Sequence, residues 1–236
     1  MTPLIVAALV FLGIHLLISG TSLRDAITAR IGKRPYLGLF SLASLAAIVW
    51  LIMAFNAAHA SSENQILYMP WIGARHLAIP VVAFAFVLAV PGLLLPNPAS
   101  LKQEGAAAKD ETVKGVLRIT RHPFLWGVAI WSALHVDASG DEAAVIFFGT
   151  FLVLALFGTA SIDAKRKRKM GEAWTGFASK TSNIPFAAIL VGRNSFKLGE
   201  ILDWRVLIAA TAFLAVLLSH AHLFGASPFP NGGVPY

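Results

Sequence analysis

The sequence predicts an all-α protein, a polytopic integral membrane six-helix bundle with both termini periplasmic. Three observations carry that expectation. Hydrophobic residues fill 57% of the 236 positions and charged residues only 13%, with a mean hydropathy of +0.71; soluble domains carry about twice that charge. Six charge-free stretches approach the roughly 20 residues that cross hydrocarbon. The cations between them collect in alternate loops.

The spans fall near residues 4–21, 37–58, 77–95, 122–136, 143–162 and 206–224. The first has no basic residue ahead of it and Arg24 after it, so it reads as a retained helix and not as a cleaved signal peptide. The third ends at Leu95-Pro96-Asn97-Pro98, where two prolines break the helix, and 105–109 reads as a mobile cytoplasmic loop. The fourth is free of charge only over 124–136. It lengthens back to His122 because proline suits a first helical turn and Arg121 can snorkel. Asp137 to Glu142 then joins spans four and five as a tight hairpin. Segment 163–204 mixes cations with Trp174, Phe177, Ile184 and Phe186 and is expected to lie in the cytoplasmic headgroup layer. Residues 1–226 thus form one domain, followed by an irregular Pro/Gly tail at 227–236.

Orientation follows from the cations. Loops after spans one, three and five hold all but one of the 19 Lys and Arg, and Arg75 alone lies on the other side. The positive-inside rule makes those loops cytoplasmic. A net charge of +7 beside membrane spans fits anionic lipid headgroups and the bilayer as partner, with no nucleic acid involved. The absence of cysteine removes disulfides, thiolate metal sites, covalently attached haem and thiol nucleophiles.

Ionisable groups inside spans are costly and mark candidate sites. His15 lies two-thirds of the way through span one, with Ser19 and Ser22 following at i+4 and i+7. His135 sits near the outer end of span four, where Asp137 or Asp141 is placed to accept its second ring N–H. His122 is on the same helix, but thirteen residues displace it by about 20 Å. His76 opens span three; His220 and His222 end span six about 200° apart, so at most one faces inward. His59 falls in a polar loop and reads as solvated. In a bundle without cysteine, histidines on facing helices are the usual means of holding haem b. No phosphate-cradling loop, nucleophile elbow or zinc helix motif is present.

Several segments together resemble the NnrU family, bacterial membrane proteins named for an association with nitrite and nitric oxide reduction. They are Gly13-Ile14-His15, Leu23-Arg24 and Leu39 to Leu45; Pro70-Trp71 with Arg75-His76-Leu77; and Thr120-Arg121-His122-Pro123 with Trp126-Gly127. Leu134-His135, Gly140-Asp141, Phe148-Gly149, Asp163-Ala164-Lys165-Arg166 and Thr181-Ser182-Asn183-Ile184-Pro185-Phe186 complete the set, which covers roughly residues 10–190. The family includes the 15-cis-ζ-carotene isomerase of plants and cyanobacteria, which holds haem b between histidines. Carried over by motif, the resemblance implies His15 and His135 as metal ligands, with His122 and His76 as neighbouring cofactor positions. Counted along the helices, His15 lies about 16 Å deep and His135 near the surface, so His122 competes as the partner of His15. Arg121 or Arg24 is the expected contact for a haem propionate.

The chain is also similar, more loosely, to membrane methyltransferases that use S-adenosylmethionine, through Arg121-His122-Pro123-Phe124, Gly127 and Ile184-Pro185. Those enzymes carry adjacent glutamates where this chain has the single carboxylate Asp163. The expectation is a multi-pass protein of the bacterial inner membrane. Its function would be either nitric oxide metabolism in denitrification or haem-dependent isomerisation of an isoprenoid carbon–carbon double bond. The competing classes are a non-enzymatic accessory factor for nitric oxide reductase and a methyltransferase.

Overall fold

A computed structural model describes residues 1–19, 21–99 and 113–229. The expected loop at 105–109 and the end of the tail lie outside the described residues. The helices are α1 (Thr2–Leu12), α2 (Ser22–Ile31), α3 (Lys33–His59), α4 (Ile72–Leu94), α5 (Val116–Ile119), α6 (Pro123–Ser139), α7 (Glu142–Met170), α8 (Glu172–Lys180), α9 (Ala187–Leu190), α10 (Leu198–Ile201) and α11 (Trp204–Phe224). Among the described residues there is no strand, only an isolated bridge between Ile66 and Asp141.

Four of these helices, α3, α4 from His76, α7 and α11, are long and apolar enough to cross a membrane. A fifth span results if α1, its extension to Ile18 and α2 count as one segment bent by 78°. The stretch expected as span four is α6, of 17 residues. It packs against both α4 and α7, while α11 packs against α4, and α1 against α3 and α7.

Local chemistry sets the helix ends. Pro123 occupies the first turn of α6, where its missing N–H costs nothing. Gly140 ends that helix at φ +73° with its N–H on the Val136 carbonyl, a left-handed cap that a side chain would strain. Asp141 opens α7 by accepting from the Ala144 N–H at 3.0 Å, and Asp203 opens α11 by accepting from the Arg205 N–H at 2.8 Å.

Small residues let α4 and α6 approach closely, as membrane helices require when burial of apolar surface supplies no drive. A Cβ placed on Gly127 would stand 2.6 Å from the Ala85 carbonyl oxygen, and one on Gly92 2.7 Å from Pro123. Leu4, Phe11, Leu51 and Ala143 form the core between α1, α3 and α7. Leu88, Leu95, Val116, Ile119 and Ile201, flanked by Trp126 and Phe186, form a second core at the cation-rich end.

Candidate functional site

Two polar centres stand out, one at each end of α6. The first is built where Thr120-Arg121-His122-Pro123 enters α6. Asp163, on α7, receives both Nε and Nη2 of Arg121, the Nε contacts at 3.0 Å, and the Nε2 of His122 at 2.6 Å. His122 is 3% exposed, so its ring is fixed by this carboxylate. Arg121 also lies 5.9 Å over the Trp174 ring of α8, a cation–π placement. Beside it opens a cleft of about 380 Å³ lined by Arg121, Asp163, Lys167, Trp174 and Ser179.

The segment from Thr181 to Phe186 is tied to this entry turn by side chains and backbone together. The Arg121 N–H donates to the Ser182 carbonyl at 2.9 Å, and the Phe186 N–H to the Ile119 carbonyl at 2.8 Å. Thr120 Oγ1 donates to the Asn183 carbonyl. Asn183 links two helices: its carbonyl oxygen accepts from Trp126 Nε1 of α6 at 3.2 Å, and its amide donates to Thr159 Oγ1 of α7 at 3.0 Å. Motifs separated by sixty residues therefore form one rigid layer. Nearby, Arg118 forks onto Glu200 at 2.7 and 2.9 Å, and the Gly115 N–H adds a third bond at 3.1 Å. These contacts hold the Glu200 carboxyl down to about 2, the Arg118 hydrogen bonds contributing most.

The second centre surrounds His135, near the opposite end of α6. Its Nδ1 donates to the Trp131 carbonyl at 2.8 Å. Asp137 and Asp141 were the expected acceptors; Asp141 is instead engaged by Asn64 Nδ2 at 2.9 Å, the Ala144 N–H and His59 at 3.4 Å. His59 is accordingly placed against Asp141 and the Phe55 ring rather than only in solvent. The His135 ring meets Phe148 at 4.7 Å, Trp131 at 5.0 Å and His220 of α11 at 6.5 Å. His220 donates through Nδ1 to the Ala226 carbonyl at 2.8 Å, while His222 is exposed. One turn before His135, the buried Ser132 hydroxyl has no hydrogen-bond partner among the described residues.

His15 lies elsewhere. It sits in a π-helical stretch, Gly13–Ile18, a distortion frequent at functional positions. Its Nδ1 donates to the Phe11 carbonyl at 2.8 Å, and its ring meets Phe11 at 4.4 Å and Phe40 at 5.5 Å. The wider turns and the start of α2 at Ser22 take Ser19 and Ser22 off the α-helical stripe expected to follow His15. Phe11, Phe151 and Trp131 run as a row of touching rings from His15 towards His135. His76 is exposed at the start of α4. His122 lies at the other end of α6 from His135, and Arg24 lies 5.9 Å over the Tyr36 ring.

Among the described residues no group of three or more His, Cys, Asp or Glu is arranged to hold a metal ion. The donors suited to a haem are single imidazoles. In His15, His135 and His220 the Nδ1 proton is given to a backbone carbonyl, which leaves the Nε2 lone pair available in the neutral ring. That donor chemistry would suit a haem iron. The pairing of His135 with His220 and the bridging role of Asn183 were not foreseen from the sequence, since no spacing relates residues on helices so far apart in the chain.

A family model described as NnrU protein matches residues 3–228. The chain is 30% identical over 176 residues to the chloroplastic 15-cis-zeta-carotene isomerase of Arabidopsis thaliana, and equally to that of Zea mays. Each match covers 73% of this chain and 47% of the relative, so the chain spans about half the length of the curated relatives it matches. No solved structure matches it.

Proposed function

The chain belongs to the NnrU family, and from that premise we propose that it holds haem b through His135 and isomerises a cis double bond in an apolar isoprenoid. The observation that carries this reading is the state of the His135 ring: Nδ1–H bound to Trp131, Nε2 free, and Trp131 and Phe148 packed beside it. Such an imidazole is oriented for a metal before the metal arrives. The relatives in Arabidopsis thaliana and Zea mays, named as carotene isomerases, support a long apolar polyene as the substrate class.

When bound, the haem iron supplies reversible electron and ligand exchange. The chain's own contribution is orientation and exclusion of water. Trp131 fixes the tautomer of His135, and the row of Phe148, Phe151 and Trp131 offers flat apolar surface to a polyene. The Arg121–His122–Asp163 cluster clamps the opposite end of α6 to α7 and holds the helix at a fixed depth. With its single carboxylate already shared by Arg121 and His122, that cluster is poorly disposed to bind S-adenosylmethionine.

In this reading α6 is a sixth span, the cation-rich loops are cytoplasmic and both termini lie outside the bacterial inner membrane. A role in nitric oxide metabolism would use the same haem. The deciding experiment incubates the purified, reduced full chain with a poly-cis carotene in detergent. Conversion to a less cis product that is lost in His135→Ala supports the proposal. A haem-replete chain that leaves the carotene unchanged overturns the isomerase assignment and favours an accessory role.

A further inference from the structure

We propose that residues 66–71 form an uncharged anchor that seats in the headgroup and upper acyl layer of the leaflet at the His135 end of α6, with neutral phospholipid as its partner. The strap Ile66-Leu67-Tyr68-Met69-Pro70-Trp71 runs between α3 and α4 and carries no charge. Its side chains turn outward: Met69 is 82% exposed, Ile66 64%, Trp71 62% and Leu67 52%. A run of exposed apolar side chains on this scale marks an interaction surface. The inference stands apart from the haem reading and draws on none of its residues' chemistry.

This is not a loose loop, because its backbone is fastened to the turn between α6 and α7. The Leu67 and Tyr68 N–H groups donate to the Gly140 carbonyl at 2.8 and 3.3 Å, and the Glu142 N–H donates back to the Gln65 carbonyl at 2.9 Å. Tyr68 gives its hydroxyl proton to the Val136 carbonyl. Just ahead of the strap, Asn64 donates Nδ2 to Asp141 at 2.9 Å and accepts from the Ala143 N–H at 3.1 Å. A Cβ on Gly140 would strike the Tyr68 carbonyl, so the glycine that caps α6 also admits the strap. Backbone groups paired within the protein leave water at little cost. A segment already ordered also loses little conformational freedom on docking.

The surroundings point to lipid as the occupant. Trp71 leads directly into α4, whose apolar span begins at His76 and whose Leu77 is exposed, so the patch continues the lipid-facing surface of that helix. At the same end α11 finishes on exposed Leu223 and Phe224, its His220 ring lying 6.5 Å from that of His135. Tryptophan and tyrosine, each an apolar ring with one polar tip, favour the membrane–water boundary. Ser62 and Glu63, exposed and polar just before the strap, mark the side that stays wet. No charged residue occurs from Asn64 to Ala74, so attachment here draws on burial of apolar surface and not on anionic headgroups, unlike the cation-rich end. Tyr68 grips Val136, the neighbour of His135, and an anchored strap therefore sets the depth of that turn of α6.

The chain has no cysteine, so one introduced cysteine takes a nitroxide label uniquely. The full chain carrying Ile66→Cys, Met69→Cys or Ser62→Cys is labelled and reconstituted in phosphatidylcholine vesicles. Electron paramagnetic resonance then compares collisions with oxygen, which concentrates in lipid, and with a water-soluble nickel chelate. The Ile66→Cys and Met69→Cys labels are expected to collide more with oxygen than with the chelate, the Ser62→Cys label the reverse, and added phosphatidylglycerol should change neither ranking. Chelate collisions prevailing at Ile66→Cys or Met69→Cys put the strap in water and overturn the proposal. Labels shielded from both reagents, or broadened by a second label nearby, overturn it in favour of contact with another copy of the chain. Entry into lipid only when phosphatidylglycerol is present overturns the uncharged anchor.

Discussion

Arg121 lays its guanidinium across the carboxylate of Asp163, and both side chains are less than one-fifth exposed, at 14% and 19%. The carboxylate also receives His122 Nε2, so one acidic group on α7 holds two adjacent residues at the mouth of α6. Its removal strands a cation and a buried imidazole together. Asp163→Ala is expected to lower stability by roughly 2–4 kcal/mol, within or just under the range for breaking a buried pair. Asp163→Asn, which keeps an acceptor, should cost less. Thermal unfolding in detergent measures both; equal stability of Asp163→Ala and wild type contradicts the clamp.

Asn183 ties Trp126 on α6 to Thr159 on α7. Asn183→Ala removes both bonds and leaves the Trp126 indole N–H without its acceptor, at a cost of about 1–3 kcal/mol. Asn183→Asp should retain the acceptor to Trp126 and lose only the donor to Thr159. The order of melting temperatures, wild type above Asp above Ala, checks the arrangement.

Close approach of α4 and α6 depends on Gly127. A methyl group there would meet the Ala85 carbonyl at 2.6 Å, and backbone cannot yield as a flexible side chain can. Gly127→Ala is expected to destabilise by about 1–3 kcal/mol, whereas Gly149→Ala, whose Cβ meets nothing within 4 Å, should be tolerated. Comparable melting of the two variants contradicts the packing.

The Glu200 carboxyl, held down to about 2 against an ordinary value of 4.5, gives acid sensitivity a sign. Its contribution is fully present above pH 4.5 and is lost as pH falls towards 2, where the folded form takes up its proton. Solvent screening keeps it modest, since the side chain is 30% exposed. Melts recorded from pH 6 to pH 3 should fall less steeply for Glu200→Gln than for wild type.

Apolar runs made the long helices legible, because they are a property of consecutive residues. The expected spans at 37–58, 77–95, 143–162 and 206–224 correspond to α3, α4, α7 and α11. The stretch at 122–136 became a 17-residue helix packed against α4 and α7, contacts that only tertiary packing decides. His122 and Asp163 were both visible as motif residues, yet their contact depends on how α6 leans on α7. The π-helical turns at His15 have no signal in the residue pattern, and they displace Ser19 from its expected face. His135 and His220 meet because α4 carries both of their helices.

Haem stoichiometry tests the central claim most directly. The full chain, purified from haem-sufficient cells and measured by its pyridine haemochrome, is expected to carry one haem b per chain, with occupancy collapsing in His135→Ala while the protein stays folded. A wild-type chain that carries no haem, or a His135→Ala chain that keeps its full complement, contradicts the account.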